Sequence, residues 1–192
     1  MSERPNLTVV IASTRPGRKG KAIARWFVGL AQAHGGFDVT LVDLAEVNLP
    51  IYDEPQQPIT GEYVYEHTKR WSSIVNNADA FVFVMPEYNF SFNAAIKNAL
   101  DYLYQEWRYK PVGLVGYGGG ANGTRSIQAL KPVLLALKLF WVGDVAIGLG
   151  ANPVIDGTFA GNEILEKAAH AMLDELARLE GELNVLRPDR AN

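Results

Sequence analysis

The sequence contains no cysteine among its 192 residues. Disulfide bonds, thiolate nucleophiles, and zinc–thiolate or iron–sulfur sites are therefore excluded. The three histidines, His34, His67 and His170, are scattered singly and form no pair at helical spacing, which argues against a metal site. A Gly-x-Ser-x-Gly nucleophile elbow is also missing, which argues against a serine hydrolase.

Long apolar runs and a surplus of positive charge are missing as well. The chain has no run of about 18 apolar residues, which is the length needed to cross a membrane. Residues 1–5 hold no apolar signal region. The net charge is −3, whereas a dedicated nucleic-acid binder normally carries a basic surplus. We therefore expect a cytoplasmic protein that binds neither membranes nor nucleic acid.

Apolar residues are plentiful, at 48% of the chain, which is enough for a large core. We expect one domain over residues 1–192, with residues 1–5 and 186–192 frayed. Strand-like apolar runs alternate with segments of helical periodicity. The strands are predicted at 7–12, 37–43, 80–85, 112–117 and 144–149, and the helices at 19–34, 61–77, 91–106, 124–140 and 162–184. Such alternation implies parallel strands joined by crossover helices.

Five alternating units without a dinucleotide fingerprint in the first turn predict an α/β fold. Its expected form is a flavodoxin-like three-layer sandwich, with a five-stranded parallel sheet in the order 2-1-3-4-5. In such sheets a ligand binds beyond the carboxyl ends of the strands, at the switch point between strands 1 and 3. The polar segments 13–20 and 86–91 leave these two strands at that edge.

The segment 13–20 has the residue types of a phosphate-binding loop. Ser13 supplies a hydroxyl, Arg15 and Arg18 supply cations, and Gly20 leaves room for a close backbone approach. The segment is not a Walker A motif, because Ala22 stands where a hydroxyl residue is required. The alternative is a plain surface turn before a helix with a solvated basic start. Cations at a helix N-terminus oppose the helix dipole, so their concentration here favours bound phosphate.

The segment after the third predicted strand combines Pro86, Glu87, Tyr88 and Asn89. A flavin ring needs hydrogen bonds at its polar edge together with apolar or aromatic contacts. The backbone of residues 87–89 is expected to supply those hydrogen bonds. The alternative is an ordinary turn, and Ser91 is expected to cap the following helix in either case.

The glycine-rich segment 118–123 matches a dinucleotide fingerprint, with Asp144 about twenty residues further on. That match would indicate a dehydrogenase that binds NAD and contains no flavin. The fingerprint belongs in the first turn of such a fold, however, and Asp144 begins a predicted strand where the motif requires an acidic residue at the end of one. We interpret Gly118 and Gly119 as backbone donors to the flavin ring edge. A flexible loop selected for tight packing is the alternative.

Two further groups of residues carry expectations. Asp53 and Glu54 lie in the proline-rich segment 49–61 and are expected to be solvated rather than to act as acid and base. An aromatic cluster lies close to the second polar segment, and one domain can hardly bury all of it. Its members are Phe90, Phe92, Tyr102, Tyr104, Trp107 and Tyr109. We therefore expect a homodimer or homotetramer with residues 91–107 in or near the interface.

Three short motifs together resemble those of the NAD(P)H-dependent FMN reductase family, which includes quinone, azo-dye and chromate reductases. They are Ala-Ser-Thr-Arg at 12–15, Pro-Glu-Tyr-Asn at 86–89 and Tyr-Gly-Gly at 117–119. Two positions depart from the family pattern: Ala12 replaces a common glycine, and Gly116 replaces a common small hydroxyl residue. The resemblance implies tightly held FMN, a dimer or tetramer, and a broad range of acceptors.

The sequence thus predicts an oxidoreductase that transfers hydride from NAD(P)H through bound FMN to a quinone or another planar acceptor. The alternative is a redox-inert FMN-binding module that regulates a partner. No catalytic side chain is expected, because the cofactor supplies the chemistry. Tyr88, Phe90 and Tyr117 are expected to line the pocket by stacking. The predicted cofactor-binding residues are Ser13, Arg15, Arg18 and Gly20 for the phosphate, and Pro86, Glu87, Tyr88, Asn89, Gly118 and Gly119 for the ring.

Overall fold

A five-stranded parallel sheet organises the computed structural model, which describes residues 4–187. Its strands are β1 (Asn6–Ile11), β2 (Asp38–Asp43), β3 (Ala80–Pro86), β4 (Pro111–Gly118) and β5 (Phe140–Gly148). They lie in the order β2-β1-β3-β4-β5, and all four pairings are parallel. The predicted fold class and strand order are confirmed.

Helices cover both faces of this sheet and complete the three layers. The α-helices among the described residues are α1 (Gly20–His34), α2 (Leu44–Val47), α3 (Glu66–Asn76), α4 (Ala94–Asp101), α5 (Thr124–Ala136) and α6 (Glu163–Leu183). Short 3-10 helices occupy Pro58–Thr60, Gln105–Trp107 and Asn184–Leu186. One apolar cluster joins α1 and α6 to the sheet, and a second joins α3, α4 and α5 to the opposite face.

The central strands are buried on both faces, which explains their nearly unbroken apolar sequence. All seven residues of β3 are buried. Val82 and Val84 pack toward α1 and α6, whereas Phe81 and Phe83 pack toward the other helical layer. This alternation follows from the two-residue period of a strand. Because the strands are fixed on both sides, the loops at their carboxyl ends start from rigid positions.

The boundary between α5 and β5 differs from the prediction. The helix was expected to continue to residue 140 and the strand to begin at 144, yet β5 already begins at Phe140. Lys138 adopts a left-handed conformation with φ of 57°, and the amide of Leu139 donates to the carbonyl of Leu134, which ends the helix. Asp144 therefore lies inside β5 and not at its start.

Two more helices are shorter than predicted, and one cap is placed differently. The segment 91–106 contains only α4 and a 3-10 turn, and the segment 61–77 becomes helical only from Glu66. The N-cap of α4 is Asn93, so the predicted capping role of Ser91 is wrong. Ser91 is held instead in a tight turn with Tyr88.

The predicted frayed ends lie partly outside the described residues. Within them, Arg4 pairs with Asp38 at 2.6 Å. At the other end, the guanidinium of Arg187 lies 3.1 Å from a carboxylate oxygen of Asp79 and 3.2 Å from one of Glu180. No helix within residues 4–187 is both long enough and apolar enough to cross a membrane.

Candidate functional site

Three loops leave neighbouring strands at the same edge of the sheet. The first loop (residues 12–19) follows β1, the second loop (87–93) follows β3, and the third loop (119–123) follows β4. The side-chain amide of Asn93 donates to the carbonyl of Ala12 at 2.7 Å, and the amide of Glu87 donates to the carbonyl of Tyr117 at 2.8 Å. These buried hydrogen bonds join the loops into one site, as their sequence positions predicted.

The first loop turns directly into an uncapped helix. The amide of Arg18 donates to the carbonyl of Arg15 at 3.2 Å, and Gly17 supplies the left-handed conformation of this turn, with φ of 69°. Lys19 is the N-cap of α1 and makes no side-chain capping bond, and the first turn of α1 contains no acidic residue. A helix start of this kind offers backbone donors and a positive dipole end to an anion.

Two buried hydroxyls meet the start of α1 at Gly20. A Cβ atom on Gly20 would lie 2.5 Å from the Ser13 Oγ and 2.7 Å from the Tyr117 hydroxyl oxygen, so only glycine fits there without displacing them. Neither hydroxyl makes a hydrogen bond of ordinary geometry to another described residue. Buried polar groups without partners are rare in proteins, and they mark a place where a partner is expected.

Burial raises the pKa of the Tyr117 hydroxyl to about 12. Interactions with the Ser13 side chain, the Gly20 backbone and the Arg15 charge act in the opposite direction and are outweighed. Tyr117 therefore remains a neutral hydrogen-bond donor at ordinary pH. Its ring packs in the cluster of α1 and α6 and is 4% exposed, so the expectation that it lines a pocket by stacking is wrong.

The two predicted phosphate-binding arginines have different surroundings. Arg15 is exposed and forms no ion pair with another residue in the described part of the chain. The guanidinium of Arg18 lies 2.5 Å from a carboxylate oxygen of the buried Asp43, whose other oxygen accepts the amide of Ala45 at the start of α2. Arg15 is therefore available to an anion, whereas Arg18 also anchors the first loop to the end of β2.

The second loop contains a strained turn that presents aromatic side chains. Tyr88 and Ser91 exchange two backbone hydrogen bonds, of 2.9 and 3.0 Å. Between them, Asn89 and Phe90 both have positive φ, of 48° and 69°. A bulky residue such as Phe90 rarely adopts this conformation, and such strain clusters at functional sites. The turn leaves Tyr88 40% exposed and Phe90 71% exposed.

The hydrogen bonds of this turn restrict which backbone groups can meet a ligand. The amide of Glu87 is used by the carbonyl of Tyr117, and the amide of Tyr88 by the carbonyl of Ser91. Of the expected donors at 87–89, only the amide of Asn89 makes no such bond to another described residue.

The side chain of Glu87 connects the second loop to the start of α5, directly after the third loop. Its carboxylate accepts the backbone amide of Arg125 at 3.1 Å and lies 3.4 Å from the guanidinium. That guanidinium also lies 3.9 Å from the centre of the Phe90 ring. A Cβ on Gly118 would lie 3.1 Å from the Cβ of Glu87, so these two predicted site residues are in contact. Gly119 is exposed at the rim, with open space around it.

In the long loop (residues 48–65), the expected solvation is wrong for Glu54 and right for Asp53. Glu54 is buried, and its carboxylate accepts the amides of Val64 and Tyr65 at 2.9 and 3.0 Å. Asp53 accepts the hydroxyl of Tyr102 at 2.9 Å and lies 3.0 Å from the Nε2 of His67. Solvation is therefore the wrong explanation for Glu54, which ties the middle of the long loop to its end. Asp53 is exposed, as expected, and also connects the loop to Tyr102 and to His67 of α3.

A groove of about 630 Å³ lies between α2, the start of the long loop and α4. Thr14 of the first loop borders the groove. No residue of the second or third loop lines it, although α4, which follows the second loop, forms one wall. Asn98 fixes one wall, because its side chain donates to the carbonyl of Pro50 at 2.7 Å and accepts the amide of Tyr52 at 2.9 Å. The groove is therefore a neighbour of the three-loop site rather than a part of it.

Known proteins are similar to this chain in sequence and in architecture. Over residues 5–152 the chain matches the family model described as NADPH-dependent FMN reductase. It is 38% identical to an NAD(P)H-dependent FMN reductase of Schizosaccharomyces pombe, over 95% of this chain and 90% of that protein. It is 41% identical to an NAD(P)H-dependent FMN reductase of Saccharomyces cerevisiae, over 60% of this chain and 63% of that protein.

Solved structures add agreement in the fold. The flavoenzyme NAD(P)H:(acceptor) oxidoreductase from Paracoccus denitrificans superimposes with a TM-score of 0.70 at 20% identity, and the alignment covers 93% of this chain and 98% of that one. Further relatives at 32% identity are named NADPH azoreductase, from Bacillus sp., and quinone reductase, from Pseudomonas putida. The family match covers all three loops, and the chain belongs to the NADPH-dependent FMN reductase family.

Proposed function

We propose that the chain binds FMN in the three-loop site and uses NAD(P)H to reduce a quinone or another planar acceptor. The observation that carries the proposal is the uncapped start of α1, where two unpartnered buried hydroxyls meet Gly20 and the unpaired Arg15 lies in the preceding loop. Bound FMN would supply the redox chemistry, namely hydride transfer from NAD(P)H and delivery of two electrons to the acceptor. The protein's part is to bind, orient and cover the reactants.

The phosphate end of FMN fits the first loop. The hydroxyl of Ser13, the guanidinium of Arg15 and the backbone at Gly20 supply donors and positive charge of the kind that binds a phosphate dianion. Arg18 adds positive charge to the same loop while it remains tied to Asp43. Negative charge placed there also relieves the repulsion between these cations and the dipole of α1.

The ring end of FMN is proposed to lie between the second and third loops. Pro86 and Tyr88 supply apolar contact, and the free amide of Asn89 supplies a hydrogen bond. Gly118 and Gly119 allow close backbone approach at the far edge of the ring. Glu87 contributes indirectly, because its bonds to Tyr117 and Arg125 hold the two loops at a fixed separation.

Both reactants are proposed to use one binding face in turn. NAD(P)H and the acceptor are planar, and the exposed rings of Tyr88 and Phe90 are suited to stacking at the rim. A single shared face implies ping-pong kinetics. Double-reciprocal plots at several acceptor concentrations should therefore be parallel, and intersecting lines would contradict the shared face.

The aromatic cluster predicted to lie near the subunit interface is only partly buried in the chain's own core. Tyr102 and Trp107 are fully buried, whereas Phe90 is 71% exposed and Phe92, Tyr104 and Tyr109 are half-buried. The premise that one domain does not bury all of these rings therefore holds, and residues 91–107 stay a proposed part of the interface of a homodimer or homotetramer. Large exposed apolar side chains also lie in the long loop, at Ile51, Ile59 and Val64, and we propose that they extend this interface. Light scattering at micromolar concentration should give at least a dimeric mass.

Anaerobic titration with NADPH tests the proposed function. The FMN-loaded protein should lose its visible flavin absorbance on addition of NADPH and regain it on addition of a quinone. Flavin that binds but is not reduced would favour the regulatory module. A protein that oxidises NADPH without binding flavin would favour a dehydrogenase with its nucleotide at the third loop.

A further inference from the structure

Tyr117 is in contact with all three loops of the site. It lies in β4 beside Pro86 of β3, and its carbonyl accepts the amide of Glu87 from the second loop. The third loop begins two residues after Tyr117. The side chain of Tyr117 extends toward the first loop, and its hydroxyl lies at the start of α1, beside Gly20.

The hydroxyl of Tyr117 has no evident role in the packing of the protein alone. It is buried and makes no hydrogen bond of ordinary geometry to a described residue, and the same holds for the Oγ of Ser13 beside Gly20. A phenylalanine would fill the same apolar space without burying an oxygen. Since an unpaired buried hydroxyl is unfavourable, its presence indicates that the Tyr117 and Ser13 hydroxyls reach ordinary hydrogen-bond geometry when the site is filled.

We propose that Tyr117 is a positioning residue for the phosphate of FMN. Its hydroxyl donates to the Oγ of Ser13, which directs the Ser13 proton toward the phosphate and fixes the start of α1 at Gly20. The proposal rests on the proposed function, because it assigns Tyr117 to the same FMN site. Tyr117 thereby also couples the phosphate end of the site to the ring end, through its bond to Glu87.

The charge state of the neighbours is consistent with this role. Burial keeps the Tyr117 hydroxyl protonated up to a pKa of about 12, so it approaches a phosphate as a neutral donor. The Arg15 charge acts to lower that pKa, so it is felt at the Tyr117 hydroxyl, beside which the Ser13 hydroxyl lies at Gly20. Asp43, an acidic side chain that contacts the first loop, is paired with Arg18.

The test compares FMN with riboflavin, which carries the same ring and lacks the phosphate. Dissociation constants for both are measured on the apoprotein by flavin fluorescence, for the wild type, Tyr117→Phe and the remote control Tyr52→Phe. Loss of one hydrogen bond predicts that Tyr117→Phe binds FMN about three- to tenfold more weakly. Its riboflavin affinity should be unchanged, and the control should match the wild type for both ligands. The ³¹P resonance of bound FMN should shift in Tyr117→Phe alone.

A second comparison tests whether the two hydroxyls act in series. If Tyr117 acts through Ser13, the double variant Ser13→Ala/Tyr117→Phe should bind FMN no more weakly than Ser13→Ala alone. Gly20→Ala should weaken FMN binding because its Cβ displaces both hydroxyls, whereas Gly29→Ala, in open space on the same helix, should not. The loss caused by Gly20→Ala should shrink in the Tyr117→Phe background.

Three outcomes would overturn the positioning role. They are equal losses of FMN and riboflavin affinity, an unchanged FMN affinity in Tyr117→Phe, and strictly multiplicative losses in the double variant. The failure of the proposed function is distinguishable from these, because it would be seen in the wild type as an absence of FMN binding, and the positioning role would fail with it.

Discussion

The first loop and the long loop both lie at the carboxyl edge of the sheet, yet their polar groups are used in opposite ways. In the long loop, the carboxylates of Asp53 and Glu54 are paired with side chains and backbone amides of the chain. In the first loop, Arg15 and the hydroxyl of Ser13 have no such partners among the described residues. Polar groups satisfied within the chain stabilise a loop, whereas unsatisfied ones indicate where a ligand completes the structure.

The largest effect should come from the unpaired cation of the first loop. Arg15→Ala removes a charge-assisted contact with the phosphate, which is typically worth about 1.5–3 kcal/mol. FMN affinity should fall about ten- to hundredfold, while the midpoint of thermal unfolding stays unchanged because Arg15 has no partner to lose. The variant should purify pale and regain activity in excess FMN.

Two further substitutions sharpen that result. Arg70→Ala removes an exposed arginine of α3 that belongs to none of the three loops, and it should leave FMN affinity unchanged. Arg15→Lys keeps the charge but loses the planar fork, so its loss should be intermediate. Full FMN affinity in Arg15→Ala would show that the first loop does not bind the phosphate.

The long loop should respond in the opposite manner. Glu54→Gln places an amide group against one of the two backbone donors and should lower the free energy of unfolding by about 1–2 kcal/mol. For a chain of this size that corresponds to a fall of about 2–8 °C in the unfolding midpoint. FMN affinity should match the wild type. A variant that loses FMN affinity without losing stability would contradict the division between the two loops.

The contributions of the two regions to stability should also be lost at opposite ends of the pH scale. Burial raises the pKa of Glu54, but the interaction with the Thr68 side chain and the hydrogen bonds from the amides of Val64 and Tyr65 outweigh it and hold the pKa below its usual value. Glu54 thus stabilises the fold above its ordinary pKa of about 4.5, and this contribution is lost as the pH falls through the lowered value. Unfolding curves of Glu54→Gln should show a weaker acid dependence than those of the wild type.

Tyr117 should make the stability of the fold depend on pH in the alkaline range. Its pKa is raised to about 12, so the unfolded chain releases the tyrosine proton at a lower pH than the folded protein does. Stability should therefore decline as the pH rises from the ordinary tyrosine value of about 10 toward 12. Tyr117→Phe should reduce this decline, which unfolding curves at several alkaline pH values would measure.

The smallest effect is expected at the rim that joins the second and third loops. Arg125 is exposed, and its pair with Glu87 is 3.4 Å long, so the side chain of Arg125 should contribute less than about 1 kcal/mol to stability. The backbone bond from Arg125 to Glu87 survives in Arg125→Ala, so the loops should keep their separation. A large loss of stability would mean that the rim is a structural element comparable to the long loop.

The parts predicted well from the sequence are those with a local signal. The central strands are continuous apolar runs because both faces are buried, and the strand order follows from alternation with helices. The three loops could be placed together because parallel strands share their carboxyl edge. The pairing of Glu54 was missed because its partners are backbone amides ten and eleven residues away, which no side-chain pattern displays.

The sequence contained a pattern from which the proposed role of Tyr117 could have been predicted. Strand alternation places Val115 and Tyr117 on one face, and that face packs against α1, which follows the first loop. The turn at 88–91 had no comparable signal, because Asn89 and Phe90 adopt positive φ without glycine. The end of α5 was missed for a similar reason, since Lys138 takes the left-handed conformation that normally reveals a glycine cap.

The position of FMN in a crystal structure of the loaded protein is the most direct measurement of the central claim. The account predicts the phosphate at the start of α1, within hydrogen-bond distance of the side chains of Ser13 and Arg15, and the ring between Tyr88 and Gly119. A phosphate that faces solvent, or FMN bound in the groove between α2 and α4, would contradict it.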